Sequence, residues 1–215
     1  MKDVQNGPNR LTAAEQAAGW RLLFDGRTTE GWRGYGADSM PAGWQVVEGA
    51  LTRVAPAGDI ITRETFRNFE LTADWMVPPR GNSGIFYRAA LGSEAIYYSA
   101  PEYQVLDDAG HRDGRTLLTS AGSVYGLYPA IPGVVRPAGE WNSARILVNG
   151  TQVEHWLNGR QLAAYELGSA DWRQKVAASK FAQWPEYGKA AEGHIGLQDH
   201  GDRVAFRNLK IRILP

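Results

Sequence analysis

Polar and apolar positions alternate most regularly between Phe69 and Trp75, where Phe69, Leu71, Ala73 and Trp75 share one face and Glu70, Thr72 and Asp74 the other. A two-residue period is the mark of a half-buried β-strand. Shorter runs of the same kind are Trp20–Phe24, Trp44–Val47, Ala50–Arg53 and Ile60–Thr62. Asn82–Arg88 is another, with Ile85 and Tyr87 opposite Phe86 and Arg88. Trp141–Val148, Gln152–Leu157 and Gln161–Tyr165 are joined by Asn149-Gly150 and Asn158-Gly159, the dipeptides that tight hairpins favour, and predict a three-strand meander. His194–Gln198 and Val204–Ile213 close the chain, with Leu209, Ile211 and Ile213 pointing to a core. Helix is expected only at Leu11–Ala18, where Thr12 and Glu15 have capping-box spacing, and at Asp171–Ala178.

About a dozen short strands, few helices, and no repeat or linker predict an all-β chain. The expected organisation is an N-terminal extension over 1–18 and one two-sheet jelly-roll sandwich over 19–215. A propeller would show a repeat. Twenty-five glycines and eight tryptophans suit turns and half-buried pleated surface.

The run Glu102-Tyr103-Gln104-Val105-Leu106-Asp107 breaks the usual pattern. Glu102, Gln104 and Leu106 share one face, and an inward-facing carboxylate and amide left unpaired would cost several kcal/mol. Either this strand lines a polar cleft or it is an edge strand facing water. Polar side chains also sit in strands at Asn82 and Arg88, at Glu154-His155, and at His194, Gln198 and His200. Alternation sets relative faces within a strand but not register between strands, so their convergence is a hypothesis. Each has a plain structural reading: His155 and His194 as satisfied core histidines, Arg88 as an ion-pair partner, Asp107 as a turn cap.

Lysine plus arginine equals aspartate plus glutamate at 23 each, so there is no basic footprint for nucleic acid. The absence of cysteine removes thiol chemistry and disulfides. No apolar stretch is long enough to span a membrane. Phosphate-binding glycine loops and a serine nucleophile elbow are absent, since Gly81-Asn82-Ser83-Gly84 lacks the elbow spacing. Two histidines with two carboxylates could hold a divalent metal, but the spacing forms no zinc signature, and no cofactor is expected.

An ordered series of segments resembles the 3-keto-disaccharide hydrolase domain family. It runs through Leu22-Phe24-Asp25-Gly26, Gly31-Trp32, Phe69-Glu70-Leu71 and Gly81-Asn82-Ser83-Gly84-Ile85-Phe86. It continues with Glu102–Asp107, Pro137–Asn142, Glu154–Gly159, Gly193–Gly201 and Val204–Ile211, covering residues 19 to 213. The chain departs from many members at Ser99-Ala100-Pro101, where a glycine commonly precedes the Glu-Tyr-Gln run.

The resemblance implies a concanavalin-A-like jelly roll and a glycoside hydrolase of carbohydrate metabolism. Its substrate would be an oxidised mono- or disaccharide glycoside. It also implies an exported, periplasmic or secreted protein; Met1 to Arg10 lacks the apolar run of a signal peptide, so a leader is expected to lie outside this sequence. A ketone at C3 acidifies the proton at C2. A base can therefore remove it while the C1 substituent leaves, and water then adds to the unsaturated sugar.

On that chemistry the expected general base is Glu102, with His155 or His200 donating to the leaving oxygen. Asn82, Arg88, Gln104, Gln198 and Glu154 would hold the substrate, and Asp107 would orient a histidine or cap the strand. The rival reading is a non-catalytic carbohydrate-binding module built on the same sandwich.

Overall fold

The computed structural model describes residues 7–215. The expected extension over 1–18 therefore lies partly outside the described residues. Within it, helix α1 (Ala13–Ala17) starts at a complete capping box, Thr12 accepting from the Glu15 amide and Glu15 from the Thr12 amide.

The fold is all-β: two antiparallel sheets packed as a jelly-roll sandwich of the concanavalin-A-like kind. The larger sheet has the order β11 (Arg160–Glu166), β10 (Gln152–Leu157), β9 (Asn142–Asn149), β6 (Phe69–Met76), β13 (Ala205–Ile213), β4 (Ala50–Arg53), β3 (Trp44–Val47). The short β1 (Trp20–Leu22) pairs with the distal half of β13. The smaller sheet runs β2 (Trp32–Gly34), β5 (Ile60–Thr62), β12 (His194–Leu197), β7 (Asn82–Ala89), β8 (Glu102–Leu106).

Strand β6 is central in the larger sheet, and Phe69, Leu71, Ala73 and Trp75 are all buried against the opposite sheet, as the alternation predicts. Its outward Glu70 is nonetheless covered, held between Arg145 and Arg212 from the flanking strands. The second hairpin of the meander turns at Asn158-Gly159, both residues at positive φ, which matches the right-handed twist of the strands it joins. The first turns one residue later than the dipeptide suggests: Asn149 pairs with Gln152, leaving Gly150 and Thr151 in the loop. In β13, Asn208 adopts φ 51° and the register shifts between Arg207 and Lys210. Leu209 and Ile211 reach the core, whereas Ile213, expected there, is exposed at the end of β13, where it pairs with Phe69. Helix α2 (Ala170–Ala177) is capped by Ser169.

The core between the sheets is largely apolar, and its one histidine is enclosed by tyrosines. His155 from β10 is fully buried beside Tyr87, Tyr103 and Tyr165. On the outer face of the smaller sheet, Phe86, Ala89, Ile61, Ile96 and Ala100 form a second apolar cluster beneath a 3-10 turn at Ile96–Tyr98. The rest of that outer face is polar. No helix among the described residues is long and apolar enough to cross a membrane.

Candidate active site

On this polar outer face lies a cavity of about 330 Å³. Its floor is Asn82 from β7, Glu102 and Gln104 from β8, and Gln198 just beyond β12. Asp59, Asp199 and His200 come from the loops at the strand ends, and Tyr97, Tyr125 and Lys180 close the wall. The expected cleft over the Glu102–Asp107 strand is therefore present, and Glu102 and Gln104 face it while Tyr103 faces the core.

Glu102 is only 6% exposed and makes no ion pair among the described residues. It lies across β7 where residue 84 is glycine; a Cβ there would collide with its carboxylate. Loss of hydration, partly offset by the Lys180 ammonium and reinforced by the Asp59 and Asp113 charges, pushes its pKa up to about 8. At neutral pH this carboxyl holds its proton. An ionised base, the role expected of Glu102, needs the opposite protonation state at that pH.

The second carboxyl group is Asp59, which charge patterning along the chain did not single out. Burial, together with the neighbouring Asp199 charge, raises its pKa to about 6 despite a 2.8 Å hydrogen bond from the Asp199 amide. Asp199 behaves in the opposite sense. Burial opposes its ionisation, but amides of Ala57, Gly58 and Gly201 donate to it and Arg53 Nε lies 2.8 Å away, so its pKa is lowered. Two adjacent aspartates are thus pushed apart, one fixed as an anion that anchors the loop and one poised near neutrality.

The amide heads of Asn82 and Gln198 each leave a buried oxygen without a hydrogen-bond partner among the described residues. Such a group costs about 1–3 kcal/mol while unpaired, a cost that a bound hydroxyl would remove. Gln104 is more constrained: its Nε2 donates to Thr119 O at 3.2 Å and its Oε1 accepts from Val105 N, leaving one N–H for a ligand. It also pins the 108–128 connection, whose backbone runs along β8 through Gly122 N to Gln104 O and Tyr125 N to Glu102 O. Lys180 is held 4.5 Å over the Tyr125 ring. His200 stands at the exposed rim, edge-on to His111.

Four expected site residues lie elsewhere. His155 points inward, Nδ1 against Gly122 O at 3.1 Å and Nε2 against Tyr87 Oη at 3.0 Å, and burial lowers its pKa to about 4. It is a neutral core residue with both ring nitrogens engaged. Glu154, on the other face of the same strand, takes the Trp156 indole N–H at 2.8 Å on the outside of the larger sheet. Asp107 accepts the Arg80 amide at 2.7 Å, so its side chain ties down the turn between β6 and β7 rather than the one that follows it.

Arg88 was expected opposite Tyr87, but its φ of 52° breaks the alternation. Its guanidinium donates to the carbonyls of Arg67 and Gly150, away from the cavity. His194 binds Glu64 O, the structural reading. No group of three His, Asp or Glu side chains gathers as metal ligands among the described residues.

The assignment of His155 to the core has a direct check. His155→Ala should lower unfolding free energy by about 3 kcal/mol, through the void and the two orphaned partners. The pH dependence of turnover should stay unchanged. Urea denaturation with matched pH–rate curves tests this; wild-type stability with collapsed kcat would return His155 to the chemistry.

The profile of a family described as 3-keto-alpha-glucoside-1,2-lyase-like domain matches residues 19–212. A 3-keto-disaccharide hydrolase of Bacteroides thetaiotaomicron is 39% identical over 92% of this chain and 79% of its own length. A crystal structure of a Parabacteroides distasonis protein assigned as a glycosyl hydrolase superposes with TM-score 0.90 at 34% identity, covering 97% of this chain and all of that one. A carbohydrate-binding module of Bacillus subtilis shares the fold alone, with TM-score 0.53 at 11% identity over 85% of this chain and 95% of its own.

Proposed function

This chain belongs to the 3-keto-alpha-glucoside-1,2-lyase-like family and is an enzyme of glycoside hydrolase or lyase type, and we propose that it cleaves 3-keto-glycosides by elimination and hydration in the polar cavity. The substrate class follows the Bacteroides relative, which is a 3-keto-disaccharide hydrolase. The observation that carries the mechanism is the pair of carboxyl groups, Glu102 and Asp59, whose pKa values are raised to about 8 and about 6 in one cavity. At neutral pH the pair holds one acid and one base, which is what an elimination needs.

Asp59 removes the C2 proton and the electron pair passes to the C3 oxygen as an enolate, which the Lys180 ammonium faces. The enolate collapses, the C1–O bond breaks, and the leaving oxygen takes the Glu102 proton. The product is an enone unsaturated between C1 and C2. Glu102, now a carboxylate, activates water for addition at C1, and Asp59, its proton exchanged with solvent after the leaving sugar departs, protonates C2. Both groups end as they began. Asn82, Gln198 and the free N–H of Gln104 hold hydroxyls, and His200 lies where the leaving half would emerge. Ordinary hydrolysis by two carboxylates across the bond would not require the ketone. Action on an exported, periplasmic or secreted pool of oxidised sugar is part of the same proposal.

The test is incubation of the purified protein with a 3-keto-disaccharide and with its unoxidised parent, with and without chelator, following sugar release by mass spectrometry. Release from the keto substrate alone is expected. Equal release from both would defeat the elimination, and saturable binding without release would make the protein a binding module. Loss of release with chelator would add a metal to the scheme.

A further inference from the structure

A second and larger cavity, about 650 Å³, lies between helix α2, the 3-10 turn at Lys180–Gln183 and the Gly150 turn. That volume is ordinary for a small-molecule site. Its walls are aromatic: Trp172, Phe181, Trp184 and Tyr187. Tyr187 stacks between Trp172 and Phe181, 4° and 13° from parallel to them, so these rings form one continuous aromatic wall.

The charged residues that line it are all cationic: Arg67, Arg88, Arg173 and Lys189. Lys189 is paired with the exposed Glu186, and Arg173 donates to Gly168 O. Arg88 differs from them. It is 5% exposed, and none of the ion pairs among the described residues includes it. The carbonyls of Arg67 and Gly150 engage its Nε and Nη2, while Nη1 has no hydrogen-bond partner among the described residues. Its surroundings contribute only the neutral Tyr87 and Tyr165 hydroxyls and the repelling Arg67.

Its placement is built into the fold. Positive φ at Arg88 coincides with the register shift in β12 opposite it, and Gly193 packs against the Arg88 carbonyl where a Cβ would clash. A buried guanidinium without a counter-ion is costly unless an anion completes it, and guanidinium matches carboxylate in shape and charge.

We propose that this cavity binds a small aromatic carboxylate, its ring against Trp172, Phe181 and Trp184 and its carboxylate on Arg88. The site is separate from the polar cavity and does not depend on the elimination chemistry.

Calorimetric titration of the full chain with 2-naphthoate, the neutral 2-naphthylmethanol and the aliphatic octanoate tests it. Naphthoate should bind at one site at least about tenfold tighter than either other probe, the scale of one charge-assisted hydrogen bond. Arg88→Met should erase the preference over the alcohol. Ala182→Trp, at an exposed position on the cavity lining, should block all three probes whether or not the Arg88 variant folds. Glu102→Gln should leave naphthoate binding intact. Equal affinity for naphthoate and the alcohol, equal affinity for octanoate, naphthoate binding that survives Ala182→Trp, or its loss in Glu102→Gln would each overturn the proposal.

Discussion

Glu102→Gln should lower kcat on a 3-keto-disaccharide by about 10²–10⁴-fold, the usual scale for loss of one positioned acid–base group, and at the same time raise the melting temperature at pH 7. The two effects have one cause. Burial that makes Glu102 a proton donor at neutral pH also makes it a burden on the fold. Below about pH 4.5 the group is neutral in both folded and unfolded chains and has no effect. Between that value and about 8 the unfolded chain releases the proton and the folded one keeps it, so stability falls as pH rises; above about 8 the loss is constant. At pH 7 the penalty is on the order of 3 kcal/mol. Glutamine does not titrate, so the variant escapes it and should melt several degrees higher. Its advantage should vanish near pH 4. A binding module would show weaker sugar affinity instead, with no turnover to lose. A variant that melts lower at pH 7 would mean that Glu102 is ionised in the folded protein.

The pH–rate profile is the second large effect. With Asp59 as base, kcat/KM rises as pH climbs through about 6; with Glu102 as acid, it falls through about 8. The result is a bell centred near neutrality, its limbs belonging to the coupled pair rather than to either residue alone. Asp59→Asn should remove about 10²–10⁴-fold of kcat, because amide cannot take the C2 proton. Glu102→Gln should flatten the alkaline limb of whatever activity survives. If Glu102 were the base instead, activity would keep rising through pH 8, and steady-state rates between pH 5 and 9 separate the two assignments.

How much of this was legible from residues alone depended on whether the information was local. The Phe69–Trp75 alternation gave the central strand because a period of two can be read within seven residues. Asn158-Gly159 gave its turn because both positions need positive φ. The polar cleft over Glu102 and Gln104 was readable as misplaced polarity in a strand. Its partners were not, because alternation says which residues share a face and nothing about which sheet a strand joins. His155 and Glu154 stand out as polar residues within a strand, yet β10 lies in the other sheet. Arg88 failed for a different reason: a single left-handed residue reverses the alternation, and nothing in the local pattern announces it. The short strand at Trp32–Gly34 lacks a run long enough to show a period. Asp59 precedes a predicted strand, where functional groups gather, but its pKa is raised chiefly by burial in the folded chain, and the Asp199 charge that adds to this comes from 140 positions away. Lys180 reaches the cavity from the turn after α2, which no strand pattern marks.

The central claim is that the C2 proton is removed during cleavage. Turnover of a 3-keto-disaccharide in D₂O, with the released keto sugar analysed by NMR at early times against a product-only control, tests it most directly. One solvent deuterium at C2 of every released keto sugar is the predicted result. Release with C2 still fully protonated would mean displacement at C1 without elimination, and would contradict the account.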